Sequence, residues 1–371
     1  MNNIETAIQF VKRQLKEQLG IDISFREGYG VDYFPHFLKG MDEIQYNKKI
    51  EMFLWLYNMV FRKNGLSSLA IIHYLLFYAC LNSEKYDKAN KHFQALEKEL
   101  TKVKPDGEMA DNLVNQISFI MLHEIYHVIF YDKPDIKDKI FLFERRRQIE
   151  IKEELEEMLK TISPKEIFAM PKMQPRINAL FTSFYPKSMK NKLIDIIIEG
   201  LIKPEDYETK VLGDDLSLLE ELACDRSAWL FLMERYKSVG TPKEEMIDLH
   251  CSLLVALTAM LVNENFHSHY FPNKHDRLQY DAKTVIIRQN SFKRLDQYIP
   301  IGYKEISKEY LYMTEQVERI YQETAMSLIK YQDDIGEIYE EYYQIEQPKN
   351  EKRDELETKM NTIGLSMGLT L

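Results

Sequence analysis

The chain has 371 residues, 45% hydrophobic and 29% charged, with a net charge of −10 and a sequence pI near 5.5. An acidic balance of that size excludes an electrostatic nucleic-acid binder. Three cysteines, Cys80, Cys224 and Cys251, with no CxxC pairing, exclude a disulfide framework and point to a reducing compartment, the cytoplasm.

Residues 1–20 form an amphipathic helical pattern of mixed charge, without the apolar centre or small-residue cleavage site of a signal peptide. Glycine and proline are scarce, 13 and 12 in all, and apolar residues recur every three or four positions, so a mainly α fold is expected. The exception is IDISFREGYGVDYFPHFLKG (21–40), whose glycines, proline and aromatics predict a loop or short strand near the N-terminus. Helical patterns follow at 42–62, 66–82 and 84–104. KVKPDGEMAD (102–111) then interrupts and offers Asp111 or Asn112 as the cap of a central helix over 111–131.

A charged helix is expected over 137–161. Within it FERRRQ (143–148) stands beside the acidic IEIKEELEEM, and the two read as one solvated, salt-bridged helix. Prolines punctuate 162–166 and 171–175, and further helices are expected near 188–202, at 216–237 and at 242–264. An aromatic, histidine-rich loop, NFHSHYFPNKHDRLQY (265–280), follows, and the tail from 304 is acidic and helical in pattern. The longest apolar runs, LAIIHYLLFYACL (69–81) and SLLVALTAMLV (252–262), fall short of the ~20 residues that cross a bilayer. They read as core helices, with no stable membrane insertion. Boundaries near 105 and 300 divide the chain into an N-terminal helical region (1–105), a core (106–300) and a C-terminal helical region (301–371).

The chemistry concentrates in FIMLHEIYHVIF (119–130). Residues four apart on an α-helix lie about 40° apart around the axis and roughly 6 Å along it. His123 and His127 therefore share one face, where two imidazoles can hold one divalent metal with Glu124 beside them. This is the HExxH arrangement of zinc hydrolases, in which the carboxylate accepts a proton from a water that the metal acidifies. Nine histidines and 59 acidic residues produce roughly 0.03 such matches by chance, so the match is read as signal rather than coincidence. Ile117, Ile120, Met121, Ile125, Val128 and Ile129 supply the apolar wall that a buried metal helix needs.

Catalytic zinc usually has three protein ligands. LLEELACDRSAWLF (218–231) offers Glu221 as the third, with Glu220, about 100° around the helix, as its rival. Asp225, four residues after Glu221, is placed to accept the outer N–H of a ligating histidine. The apolar neighbours Leu218, Leu222, Ala228 and Leu230 predict a buried helix.

HExxH followed far downstream by a helical ExxxD resembles the gluzincin metallopeptidases, and HEIYH with EELACDRSA matches their two-helix signature. The pattern is similar to that of prenyl-protein and heat-shock membrane peptidases, without their membrane spans. It is also similar to that of the soluble Lit phage-exclusion peptidases, bacterial enzymes that cut a host translation factor during phage infection. The resemblance covers about 40 of the 371 residues. It implies a zincin-like helical zinc endopeptidase acting on a protein or peptide substrate, with a role in anti-phage defence. In gluzincins of this type a His-Pro segment and an arginine follow the glutamate helix. Ser268, His269, Pro272 and Arg277 look like a stretched version of that segment. His269 and Arg277, with His275 and Tyr270 beside them, are then candidates for holding the oxyanion of the tetrahedral intermediate.

His250, with Cys251 beside it, reads as a core histidine; His36, His73 and His92 have no metal-ligand spacing; and Cys224 reads as a small buried residue. Two competing expectations remain at this level: a metal-binding regulatory protein without catalysis, and a helical interaction module without a metal. The sequence sets no oligomeric state.

Overall fold

A computed structural model describes residues 3–28, 34–38, 43–62, 65–102, 110–163, 166, 202–240, 242–270, 282–299, 320, 323–324, 350–367 and 369. These are mostly helical, as expected. In chain order they form α1 (Asn3–Leu19), β1 (Ser24–Glu27), β2 (His36–Leu38), β3 (Glu43–Tyr46), α2 (Lys49–Phe61), α3 (Leu69–Asn82), α4 (Tyr86–Leu100), α5 (Ala110–Asp132) and α6 (Pro134–Thr161). There follow α7 (Pro204–Lys210), α8 (Ser217–Ser238), α9 (Lys243–Tyr270), α10 (Ala282–Lys293), a short 3-10 helix (Arg294–Tyr298) and α11 (Glu351–Ser366).

Three expectations need correction. Residues 43–46 begin no helix: they form β3, the middle strand of a sheet ordered β1-β3-β2, parallel to β1 and antiparallel to β2 with Phe37 opposite Ile44. Ile44 is fully buried between half-exposed Glu43 and Gln45, the period-two signature of a strand, here too short to stand out beside the helix that follows. The helix after residue 242 does not stop at 264. α9 runs to Tyr270 because NFHSHY contains no breaker and the first proline is Pro272. The third is α6, which is not solvated along its whole length. The expected helix at 188–202 falls almost wholly outside the described residues, as does most of the tail from 304 to 349.

The chain divides into two compact units. One comprises Met1–Asp132, Cys224–Arg277 and Leu295–Leu371; the other comprises Lys133–Ala223 and Leu278–Arg294. In the first, α5 is the central element, packed by α1, α2, α9 and the strands β2 and β3. Ile117, Ile120, Met121, Ile125, Val128 and Ile129 are all buried, as expected, each contributing roughly 1.5–3 kcal/mol of hydrophobic stabilisation. A polar pin fixes its rotation: Gln116 Nε2 donates to Asn58 Oδ1 of α2 (3.0 Å) and to the Ser252 carbonyl of α9 (3.2 Å). Asn112–Asp132 and Glu245–Phe266 prove long and apolar enough to cross a bilayer. The shares buried within the fold, 72% and 89%, are those of core helices.

The same unit shows why α1 and α2 end where they do. Gly20 takes φ +65° just past α1 and its N–H bonds the Lys16 carbonyl, a glycine C-cap. At Gly65 a Cβ would stand 1.7 Å from the Met59 carbonyl oxygen, so only glycine lets the chain turn back over the end of α2. α11 is capped by Asn350 and joined to α3 through Arg353 Nη2, which donates to Asn82 Oδ1 (2.7 Å).

Glu51, in the first turn of α2, is fully buried with Asn3 Nδ2 donating to its Oε1 at 2.7 Å, and burial raises its pKa. A carboxyl raised above its unfolded value stabilises fully below that value and loses the contribution as pH climbs through the folded one. Glu51→Gln removes the charge and keeps an acceptor for Asn3. It is expected to stabilise the protein at pH 7 by roughly 1–2 kcal/mol and to give no gain at pH 4, measured by urea unfolding at both pH values.

In the second unit α6 packs on α7. FERRRQ is not a solvated stretch, because Glu144, Arg147 and Gln148 are buried. Arg147 Nη1 donates to Glu144 Oε1 and to Ser291 Oγ, both at 3.0 Å, and Gln148 Nε2 bonds the same two oxygens at 2.7 Å. The acidic half of α6 does face water, where Lys152 pairs with Glu156 and Glu208.

Candidate metal centre

α5 and α8 run antiparallel within the first unit. Asp225 meets His123, and eleven residues later Tyr236 donates to Asn115 Oδ1 at 2.6 Å. His127 lies one turn beyond His123 on α5. Antiparallel packing therefore brings level with it the residue one turn before Asp225, and that residue is Glu221. The boundary of the two units falls between Ala223 and Cys224, but α8 is one unbroken helix and it alone places Glu221 beside Asp225.

The donor set follows from this pairing. His123 Nε2 and His127 Nε2 are 3.3 Å apart, with their rings nearly perpendicular. Two nitrogens on one tetrahedral zinc at ~2.0–2.1 Å stand roughly 3.3–3.4 Å apart, so the imidazole pair has the spacing of a shared cation. One carboxylate oxygen of Glu221 joins them, and the three ligand atoms lie within 4.8 Å of one another. His123 is buried, and Asp225 Oδ1 stands 2.9 Å from its Nδ1. With Asp225 beside Nδ1, Nε2 is the ring nitrogen turned toward His127. Residue types and spacing suit a divalent metal with nitrogen and oxygen ligands.

Glu220 is not in the cluster. It is ion-paired to Lys137 Nζ at 2.6 Å, around the helix as the geometry requires. Glu124 is half-buried, and its Oε2 accepts the backbone N–H of Phe37 on β2 at 3.3 Å. Leu218, Leu222 and Ala228 are buried as expected, whereas Leu230 is only half-buried. His269 falls in the last turn of α9 instead of a loop. Its side chain, that of Tyr270, and all of His275 and Arg277 lie outside the described residues.

Three other described histidines have partners of their own. Trp229 Nε1 donates to His250 Nδ1 at 2.9 Å, and burial pushes the His250 pKa down to about 3, so it is a neutral core residue. His73 and His92 face each other across α3 and α4 with 3.1 Å between their Nδ1 atoms, a pairing that sequence spacing gave no reason to expect. Cys224 and Cys251 are buried.

Two contacts at the centre escaped sequence reasoning. One is the Phe37 amide on Glu124. The other is Arg288 of α10, fully buried, with Nη1 2.8 Å from Glu221 Oε2. A signal for the second existed: Arg288 is the single cation in the run TVIIRQNSF (284–292), where a buried charge calls for a partner. No family model, no curated protein and no solved structure matches this chain.

Proposed function

We propose that this protein is a zinc-dependent endopeptidase of zincin-like architecture, hydrolysing a peptide bond of a protein substrate. The observation that carries the reading is the convergence of His123 Nε2, His127 Nε2 and a Glu221 oxygen, with Asp225 behind His123. A divalent metal held by these three residues supplies Lewis acidity and a water acidified toward neutral pH.

The chain's own groups have separable tasks. Glu124, on the same turn as His123, takes the proton of the attacking water and returns it to the leaving amine. The Phe37 N–H holds one oxygen of that carboxylate, which fixes its rotamer. Asp225 holds the His123 tautomer. The oxyanion role proposed for His269 or Arg277 rests on the gluzincin resemblance, as does a part in anti-phage defence. Three buried cysteines, none of them in a disulfide, suit a reducing cytoplasm.

Metal analysis tests the proposal. Wild-type protein expressed with zinc and then dialysed is expected to retain one zinc per chain, while His123→Ala and Glu221→Ala lose it on the same dialysis. Wild type carrying no stoichiometric first-row metal would end the peptidase reading. Retention by Glu221→Ala would remove Glu221 from the ligand set.

A further inference from the structure

We propose that Arg288 is a positioning residue of the metal centre, holding Glu221 in its ligating rotamer through the ion pair between Nη1 and Oε2. The inference rests on the metal-centre reading above and extends it to a residue on a separate helix.

Three observations support it. Arg288 is 1% exposed, so its guanidinium has no solvent shell and needs a counter-charge. Its Nη1 stands 2.8 Å from Glu221 Oε2, within the range of a charge-assisted hydrogen bond. Glu221 itself keeps 19% exposure, enough freedom for a glutamate to leave the site unless something holds it. A carboxylate has two oxygens, so one residue can face the guanidinium and a cation together.

Electrostatics point the same way: Arg288 brings its positive charge against Glu221 from a buried position, where Coulomb effects are screened least. The opposing effect is repulsion between the guanidinium and the metal. It is weaker than the ordering effect if Glu221 stands between the two, since each positive charge is then nearer the carboxylate than the other.

The test is zinc affinity by chelator competition, read beside the visible spectrum of the cobalt-substituted protein, neither of which requires activity. Arg288→Met is expected to weaken zinc binding about 10–100-fold, as loss of a partner to a ligand does, and to change the cobalt absorption bands. Arg288→Lys keeps the charge with a single donor head and is expected to fall between Arg288→Met and wild type; it also serves if Arg288→Met does not fold. Folding of each variant is checked by far-UV circular dichroism. Affinity and cobalt spectrum unchanged in folded Arg288→Met or Arg288→Lys, or affinity raised in either, would overturn the assignment while leaving the metal centre standing. Wild type that binds no zinc would fail the earlier proposal instead.

Discussion

Glu124→Gln is expected to retain zinc at the wild-type level and to lose peptidase activity by about 100- to 10,000-fold, the contribution of a general base to such a reaction. The amide is isosteric and its oxygen can still accept the Phe37 N–H at the position where Oε2 now lies, so the fold and the ligand set are left alone. What it cannot do is take a proton from water. The experiment is comparative profiling of new N-termini in cells expressing either form. Cleavage sites made by wild type and missing with Glu124→Gln identify both the activity and the substrate. Identical profiles, with zinc present in both proteins, would favour a metal-binding regulator without catalysis. The pairing of the two measurements matters, because His123→Ala would lose activity under either a catalytic or a structural role for the metal.

The part of this centre legible in the sequence is the part that a single helix encodes. His123, Glu124 and His127 are fixed relative to one another by 3.6 residues per turn, and so are Glu221 and Asp225. The choice of Glu221 over Glu220 also came from that angle, and the ion pair of Glu220 with Lys137 agrees with it. Arg288 and Phe37 reach the centre through tertiary packing, from α10 and from β2, and no local period records such a meeting. β3 was hidden by its length: four residues beside a thirteen-residue helix leave little alternation to read. α6 misled for a different reason. Charged residues that pair with each other inside a unit have the same composition as charged residues in water, so FERRRQ looked solvated although half of it is buried. The end of α9 is hard to read because aromatic and histidine residues resemble a loop, whereas only proline has the power to stop the helix.

That buried half of FERRRQ leads to the largest stability effect expected here. Glu144 and Arg147 share a buried ion pair, with Gln148 and Ser291 completing its hydrogen bonds. Taking two charges out of water costs nearly what their attraction returns, so the intact pair adds little net stability. Removing one member is a different matter, because the other stays behind in a low dielectric. Glu144→Leu leaves the Arg147 guanidinium with Ser291 as its described partner and no compensating charge in the pair. The expected cost is about 3–5 kcal/mol. Glu144→Leu combined with Arg147→Leu removes both charges, keeps the Gln148 bond to Ser291, and is expected to recover all but about 1–2 kcal/mol of that loss. Urea unfolding followed by far-UV circular dichroism is the measurement. Both tryptophans, Trp55 and Trp229, lie in the first unit, so their fluorescence does not report directly on this one. A double variant less stable than Glu144→Leu would mean that the pair stabilises the second unit by more than the loss of either partner, contrary to the desolvation argument.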